Sequence, residues 1–259
     1  MCSIRGTLKK DVDVYVGDLV DVENNVIEKV YPRKNVLIRP YIANVDTLMI
    51  TVAATPLPDW TLVEKLILNC HTQKINAAIV LNKCDLLSVS ERESMMSSYK
   101  GFDIFYFSCK TGEGITELKE YSKDKLICFA GQSAVGKSSI INLLTDKNLE
   151  IGELSKKIQR GKNTTRQIEI FETKFGQIAD TCGFSVLEGI DIRYDELVYY
   201  YEEFIPLQAK CKYKNCTHTN EPSCAVKEAV LRGEIDENRY KRYVILYNKF
   251  KDIWRKKYV

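Results

Sequence analysis

Residues 131–138 read Gly131-Gln132-Ser133-Ala134-Val135-Gly136-Lys137-Ser138, which fits GxxxxGK[ST] in full. An apolar run, Leu126–Ala130, precedes it, and a helical pattern from Lys137 to Asp146 follows. That context requires a strand, a tight glycine turn and a helix N-terminus in succession. Glycines let the backbone curl so that N–H groups converge on phosphate oxygens, at a helix end whose dipole favours anions. Lys137 is placed to reach the β- and γ-phosphates, Ser138 to bind Mg²⁺, and Ser139 to continue the lining. A glycine-rich turn without function is the competing explanation, and the flanking strand and helix argue against it. The motif implies a bound nucleotide.

A second motif says which nucleotide. Asn82-Lys83-Cys84-Asp85 follows directly on the apolar run Ala77–Leu81, at the strand end where open α/β sheets bind ligands. In NKxD the Asp85 carboxylate accepts from guanine N1–H and the 2-amino group, whereas adenine offers neither donor. A site built around that carboxylate rejects ATP, because the acceptor is left unpaired. Asn82 braces the loop and the Lys83 stem lies along the base. Ser108-Cys109-Lys110, after the strand Ile104–Phe107, resembles the SAK element whose backbone N–H meets guanine O6. Asp180-Thr181-Cys182-Gly183 fits DxxG: the aspartate holds Mg²⁺ through water and the glycine N–H senses the γ-phosphate. Thr164 and Thr165, in the polar stretch Gly161–Gln167, stand where a switch threonine completes the Mg²⁺ shell, with Thr165 preferred over Thr164.

The order of these motifs is unusual. GTPases ordinarily run phosphate loop, switch threonine, DxxG, NKxD, SAK. Here NKxD and SAK come first, no phosphate loop lies upstream of residue 82, and no second NKxD lies downstream of residue 183. One nucleotide site must therefore draw on both halves, which predicts a circularly permuted GTPase (G) domain. Permutation is tolerated where the original termini lie close together at the surface.

The rest of the chain frames this centre. With 259 residues, 45 % apolar and 28 % charged, it has the composition of a soluble globular protein of about two domains. No apolar run approaches the ~20 residues needed to span a bilayer. The start, MCSIRGTLKK, carries no apolar core behind its charges, so secretion is not expected. The nine cysteines are then expected to stay reduced in the cytoplasm.

Before residue 45, Val12–Val16, Asp18–Val22 and Val26–Tyr31 alternate polar and apolar and are separated by Gly17-Asp18 and Asn24-Asn25. That predicts a small antiparallel β-unit with Arg33, Lys34 and Arg39 at its tip. From about Asp46 strands alternate with helices, at Leu48–Ala53, a helix from Trp60, Ala77–Leu81, Ile104–Phe107, Glu113–Tyr121 and onward to Gln177–Asp180. This is an α/β, doubly wound pattern. Beyond Gly183 the chain reads as helical.

Cys211-x4-Cys216-x-His218-x5-Cys224 supplies three thiolates and one imidazole, a set that fills tetrahedral structural zinc with no position left open. The remaining cysteines and His71 have no partner spacing. From Arg239 to the end there are eight basic residues against one acid, Asp252, while Tyr243, Leu246, Tyr247, Phe250 and Trp254 recur at helical spacing. A docked helix with a solvated basic face and a phosphate-contacting surface both fit this pattern.

Taken together, ANVD (Ala43–Asp46), NKCD, GQSAVGKSS, GKNTT, DTCGF and the Cys/His loop make the chain similar to the RsgA (YjeQ) family, circularly permuted GTPases of small ribosomal subunit biogenesis. The resemblance implies an OB-like β-domain over 1–45, shortened here to about three strands, a permuted G domain over 46–190, and a helical zinc domain over 191–259. It implies GTP hydrolysis in late maturation of the 30S subunit, stimulated by the ribosome, with 16S rRNA as partner, no membrane and a monomeric state. Two positions depart from the family pattern. Asn163 stands where a histidine is assigned to the attacking water and cannot act as a base, and Cys182 replaces a proline. Phe184, after DxxG, is apolar where Ras-like proteins place a glutamine. Slow intrinsic turnover follows. Competing readings are a P-loop ATPase or kinase, against which NKxD argues, and a non-catalytic zinc/OB RNA-binding module that uses GTP as a conformational ligand.

Overall fold

The computed structural model describes residues 2–6, 12–38, 40–145, 168–181 and 192–258. Its elements run β1 (Ser3–Ile4), β2 (Val20–Glu23), β3 (Val26–Val30), β4 (Val36–Leu37), β5 (Ile42–Ala43), β6 (Thr47–Ala53), α1 (Trp60–Gln73), β7 (Asn76–Asn82), α2 (Val89–Met96), β8 (Asp103–Tyr106), α3 (Ile115–Tyr121), β9 (Leu126–Ala130), α4 (Lys137–Thr145), β10 (Ile168–Glu172), β11 (Gln177–Thr181), α5 (Ile205–Gln208), α6 (Ala225–Leu231) and α7 (Glu237–Tyr258).

Six of the strands make one sheet in the order β10-β11-β9-β6-β7-β8, parallel throughout except for β10 on the edge. The chain enters this sheet in the middle. It starts at β6, winds outward to β8, then crosses β6 to lay down β9 and β11 on the other side. Such an entry is what a rotated motif order demands, and it places β9 and β7 on either side of β6 with their C-terminal ends together.

Period-two alternation sorts the buried side chains between two faces. Leu48, Ile50 and Val52 of β6, Ile79 and Leu81 of β7 and Cys128 of β9 pack under Leu62, Val63, Leu66, Ile67 and Cys70 of α1. Met49, Ala78, Val80, Ile127 and Phe129 turn to the opposite face, against Leu118 of α3 and Ile140, Ile141 and Leu144 of α4. Both faces being covered, these strands read as continuous apolar runs.

The N-terminal β-unit differs from expectation. β2 and β3 form the expected hairpin, with Asn24 (φ 47°) and Asn25 (φ 61°) in the left-handed region that such a turn requires. Val12–Val16, however, is not a strand. Val16 makes a single bridge to Ile42, and this stretch is tied down by side chains: Arg33 donates to the Asp18 carboxylate (2.6 Å), Tyr15 N–H donates to Asp18 (2.7 Å), and Tyr15 stacks on Tyr41. An ionised aspartate two residues past Val16 competes with strand pairing for the local N–H groups. Pairing comes from elsewhere, with β1 lying parallel to β3 and β4 pairing antiparallel with β5. α3 begins at Ile115 rather than Glu113, because Gly112 (φ 81°) and Gly114 (φ 80°) hold non-helical conformations.

Beyond residue 192 a separate apolar cluster gathers Leu197, Val198, Tyr201, Phe204, Val226, Ala229, Tyr243, Leu246, Tyr247 and Phe250, with Leu68 of α1 joined to it. The expected stripe of α7 is therefore buried, apart from a half-exposed Trp254. Arg239 and Arg242 do not belong to the solvated basic face: they are 6 % and 8 % exposed and pair with Glu203 and Glu64. His71, in the last turn of α1, sets its ring edge-on against Tyr200.

Candidate functional site

The phosphate-binding loop leaves β9 at Gly131, and its glycines are needed for specific reasons. A Cβ on Gly131 (φ 143°) would lie 2.1 Å from the carbonyl oxygen of Thr51 in β6, and one on Gly136 (φ 94°) would lie 2.3 Å from Asn82 Nδ2. The second contact is the joint of the site. Asn82 Nδ2 donates to the Val135 carbonyl at 2.7 Å, fully buried, while its Oδ1 accepts from the Lys83 N–H at 2.8 Å. Lys83 Nζ donates to the carbonyls of Ala134 (3.0 Å) and Thr55 (2.6 Å). Residues some fifty positions apart thus meet, and the NKxD turn and the phosphate loop are hydrogen-bonded to each other.

Asp85 sits in a short turn of 3₁₀ helix opened by Lys83 in the left-handed conformation (φ 58°). Its Oδ1 accepts from the buried Ser108 hydroxyl at 2.6 Å, and Ser108 Oγ in turn accepts from the N–H groups of Lys110 and Thr111 at 3.2 Å. The SAK-like element is thereby locked to the NKxD turn. The Cys109 thiol lies 3.7 Å from Asn82 Oδ1, and burial raises it above the usual thiol range, which keeps it protonated and inert. A residue outside the motifs completes the lock: Arg92 of α2 donates to the Cys84 carbonyl at 3.0 Å and pairs with Glu113.

Lys137 opens α4 and folds back on the loop, its Nζ donating to the carbonyls of Gly131 (2.9 Å) and Gln132 (2.7 Å). Burial pushes it down to about 8, against the pull of the Asp180 carboxylate at the end of β11. Ser133 and Ala134 are exposed on the loop, with Ala134 in the left-handed region (φ 64°), while Val135 is buried beneath it. Ser138 and Ser139 are half-buried in the first turn of α4. Of the expected switch and catalytic residues, Asn163, Thr164, Thr165 and Gly183 lie outside the described residues, as do Cys182 and Phe184. Two partners had no sequence signal. The Gln132 side chain accepts from Asp59 N–H (2.6 Å) and donates to the Leu57 carbonyl (2.9 Å), and Thr55 is one of the two carbonyls that hold Lys83.

The four expected metal ligands also converge. Donor atoms of Cys211, Cys216, His218 and Cys224 all lie within 4.8 Å of one another. His218 Nδ1 is 3.3 Å from Cys224 Sγ and 3.6 Å from Cys211 Sγ, and those two sulfurs are 4.0 Å apart. A tetrahedron with bonds of about 2.0–2.3 Å has edges of roughly 3.5–3.8 Å, so the set fits zinc. Burial lowers the His218 imidazole, which keeps it neutral as a ligand must be. Burial, reinforced by the adjacent Cys224 thiol, pushes Cys216 up to about 12, so thiolates are favourable here only beside a cation. Within the loop, Glu221 ties residues 217–221 together. Burial raises its carboxyl, but hydrogen bonds from the Thr217 hydroxyl and from backbone N–H groups including those of Thr217 and Thr219 outweigh this and hold it at about 2.

The chain is similar to known proteins over nearly all its length. The model of the RsgA GTPase family matches residues 30–189. The small ribosomal subunit biogenesis GTPase RsgA of Ruminiclostridium cellulolyticum is 42 % identical over 97 % of this chain and 87 % of its own length, and that of Thermotoga maritima 38 % over 95 % and 88 %. Among solved structures, YjeQ from Thermotoga maritima superposes with a TM-score of 0.80 at 35 % identity, covering 96 % of this chain and 89 % of that one. YloQ, described as a circularly permuted GTPase, gives 0.78 at 31 %, covering 97 % and 86 %. With a central-strand entry into the sheet, a guanine motif hydrogen-bonded to a phosphate loop that follows it in sequence, and relatives alike from end to end, this chain belongs to the RsgA GTPase family.

Proposed function

We propose that this GTPase hydrolyses GTP to GDP and phosphate during late maturation of the 30S ribosomal subunit, with turnover stimulated by that subunit. The observation that carries this reading is the Asn82–Val135 hydrogen bond. It ties the NKxD turn to the phosphate loop, which supports one nucleotide being read by both.

In this reading Asp85 accepts from guanine N1–H and the 2-amino group, the Cys109 N–H meets O6, and Lys83 lies along the base. Gly131, Gln132, Ser133, Ala134, Val135 and Gly136 wrap the phosphates with their backbone N–H groups, and Ser139 follows in the helix turn. Lys137 leaves its loop carbonyls for the β- and γ-phosphates, where its charge offsets that developing on the leaving group. Mg²⁺, when bound with GTP, supplies further charge stabilisation, and Ser138, Thr165 (or Thr164) and, through water, Asp180 are the residues that would hold it. Gly183 senses the γ-phosphate. Asn163 orients the attacking water without accepting its proton, so intrinsic turnover is slow and a group from the subunit completes the site.

The Cys₃His set holds one structural zinc and orders the 211–224 loop. The chain divides into an OB-like β-domain (1–45), the permuted G domain (46–190) and a helical zinc domain (191–259). It acts as a cytoplasmic monomer on 16S rRNA. Among the described residues no helix is long and apolar enough to cross a membrane. Single-turnover GTP hydrolysis, with and without purified small subunits, tests the proposal. Subunits should raise the rate by an order of magnitude or more. GTP bound but never hydrolysed, with or without subunits, would favour a GTP-gated RNA-binding module instead.

A further inference from the structure

Gln132 is bonded in two directions. Its carbonyl accepts from Lys137 Nζ (2.7 Å), and its side-chain amide holds Asp59 N–H (2.6 Å) and the Leu57 carbonyl (2.9 Å). Asp59 is the N-cap of α1, its Oδ1 accepting from Leu62 N–H at 3.0 Å. One of the two residues whose carbonyls hold Lys137 is therefore bonded to the N-cap of a helix packed on the sheet.

Five residues further along α1, about 7.5 Å at 1.5 Å per residue, stands Glu64, which is 1 % exposed. Its Oε1 accepts from Arg242 Nε (3.0 Å) and from the Tyr99 hydroxyl (3.0 Å), and its Oε2 from the Tyr201 hydroxyl (3.4 Å). Arg242 belongs to α7 and is itself buried, and its Nη2 has no hydrogen-bond partner among the described residues. A buried ion pair with an unsatisfied nitrogen is a poor choice for stability alone, since a well-packed apolar pair would serve as well or better. The Tyr99 and Tyr201 hydroxyls do, however, hold the Glu64 carboxylate in one orientation, and Arg242, the donor that comes from α7, ties that helix to it. Neither helix can slide without uncovering a buried charge.

From α7 the contacts continue to the Cys/His loop. Tyr240 Oη donates to the His218 carbonyl (2.8 Å) and Tyr243 Oη to the Thr217 carbonyl (2.7 Å). A series of polar contacts, exposed at the Gln132 end and buried or half-buried from Glu64 onward, thus joins the phosphate loop to the metal-ligand loop through two helices. It is separate from the covalent connection through residues 182–191.

We propose that α1 is a strut that couples nucleotide occupancy of the phosphate loop to the position of α7 and the Cys/His loop, with Gln132 as its positioning residue at one end and the Glu64–Arg242 pair at the other. The inference rests on the nucleotide-binding reading of the loop given above. When a phosphate draws Lys137 from the carbonyls of Gly131 and Gln132, those carbonyls lose their donor and the loop backbone re-pairs. Gln132 carries that shift to the cap of α1, and the Glu64–Arg242 contact passes it to α7 rather than absorbing it. By linkage the effect is reciprocal, so loosening α7 alters nucleotide affinity by the same factor.

Hydrogen exchange of the full chain, with and without GDP and Mg²⁺, tests this. In the wild type, saturating GDP should change exchange over 237–250 by about fivefold or more, the low end of measured couplings. In Gln132→Ala and in Glu64→Gln, saturated with GDP as followed by a fluorescent GDP derivative, that response should fall to about twofold or less. Should either variant fail to bind GDP or to fold, the other decides. A wild type in which GDP protects 131–145 but leaves 237–250 unchanged overturns the strut, as do GDP-loaded variants with the full wild-type response. A wild type that binds no GDP overturns the nucleotide reading itself, a distinct outcome.

Discussion

Replacing Asp85 with asparagine should reverse base preference, and the Ser108 contact says in which sense. Ser108 Oγ donates to Asp85 Oδ1 at 2.6 Å and is held in that orientation by the N–H groups of Lys110 and Thr111. In Asp85→Asn the carbonyl oxygen must keep the Ser108 side, since the hydroxyl is a donor there, and the new NH₂ faces the 2-position of the base. Guanine presents a donor at that position and xanthine an acceptor. For GDP the change removes one charge-assisted hydrogen bond, about 1.5–3 kcal/mol, and leaves a buried donor unpaired, about 1–3 kcal/mol. Taking about 3–5 kcal/mol together, GDP affinity falls by roughly 150- to 4,000-fold at 1.4 kcal/mol per tenfold. Displacement of a fluorescent GDP derivative by GDP and by xanthosine diphosphate measures both affinities. The wild type should prefer GDP and Asp85→Asn xanthosine diphosphate. Equal losses for the two nucleotides, with thermal melting unchanged, would mean that residue 85 does not face the 2-substituent.

Three further outcomes follow from the same geometry. Lys137 is depressed to about 8 in the free loop and must be charged to hold phosphate, so GDP affinity should be flat below about pH 7 and weaken toward tenfold per unit above 8; calorimetry between about pH 6.5 and 9 checks this, and a flat profile would remove Lys137 from the phosphates. Gly136→Ala drives a Cβ to 2.3 Å from Asn82 Nδ2 at φ 94°, whereas Gly233→Ala also has a positive φ (73°) but nothing within 4 Å, so in thermal melts the first should lose about 1–3 kcal/mol more than the second and alone weaken GDP binding. Cys211→Ser removes one of four converging donors; a chelator assay should find zinc released, and subunit-stimulated hydrolysis should drop while GDP affinity changes by less than about tenfold.

What could be read in the sequence was what has a local or periodic signature. β6, β7 and β9 were legible because strands covered on both faces are continuously apolar, and the phosphate loop and NKxD because glycine conformation and guanine chemistry tolerate few alternatives. The rotated order of those motifs carried the topology, and the Cys/His spacing carried the metal-ligand cluster. Contacts made across the fold were not legible. Arg239 and Arg242 counted as surface charge because nothing near them in sequence shows that Glu203 and Glu64 lie opposite, the latter 178 residues away. Val12–Val16 alternated like a strand, yet the bonds between Arg33 and Asp18 won the local competition for hydrogen-bonding groups. The second role of Gln132 was hidden for the same reason, since its partners Leu57 and Asp59 are more than seventy residues upstream.

The central claim is that two distant stretches of this chain build one guanine-nucleotide site. A crystal structure of the GDP–Mg²⁺ complex tests it directly. The account predicts one nucleotide per chain, its base edge within hydrogen-bond distance of Asp85 and its β-phosphate within reach of Lys137. A nucleotide whose phosphates lie in the 131–138 loop while its base points away from residues 82–85 would contradict it.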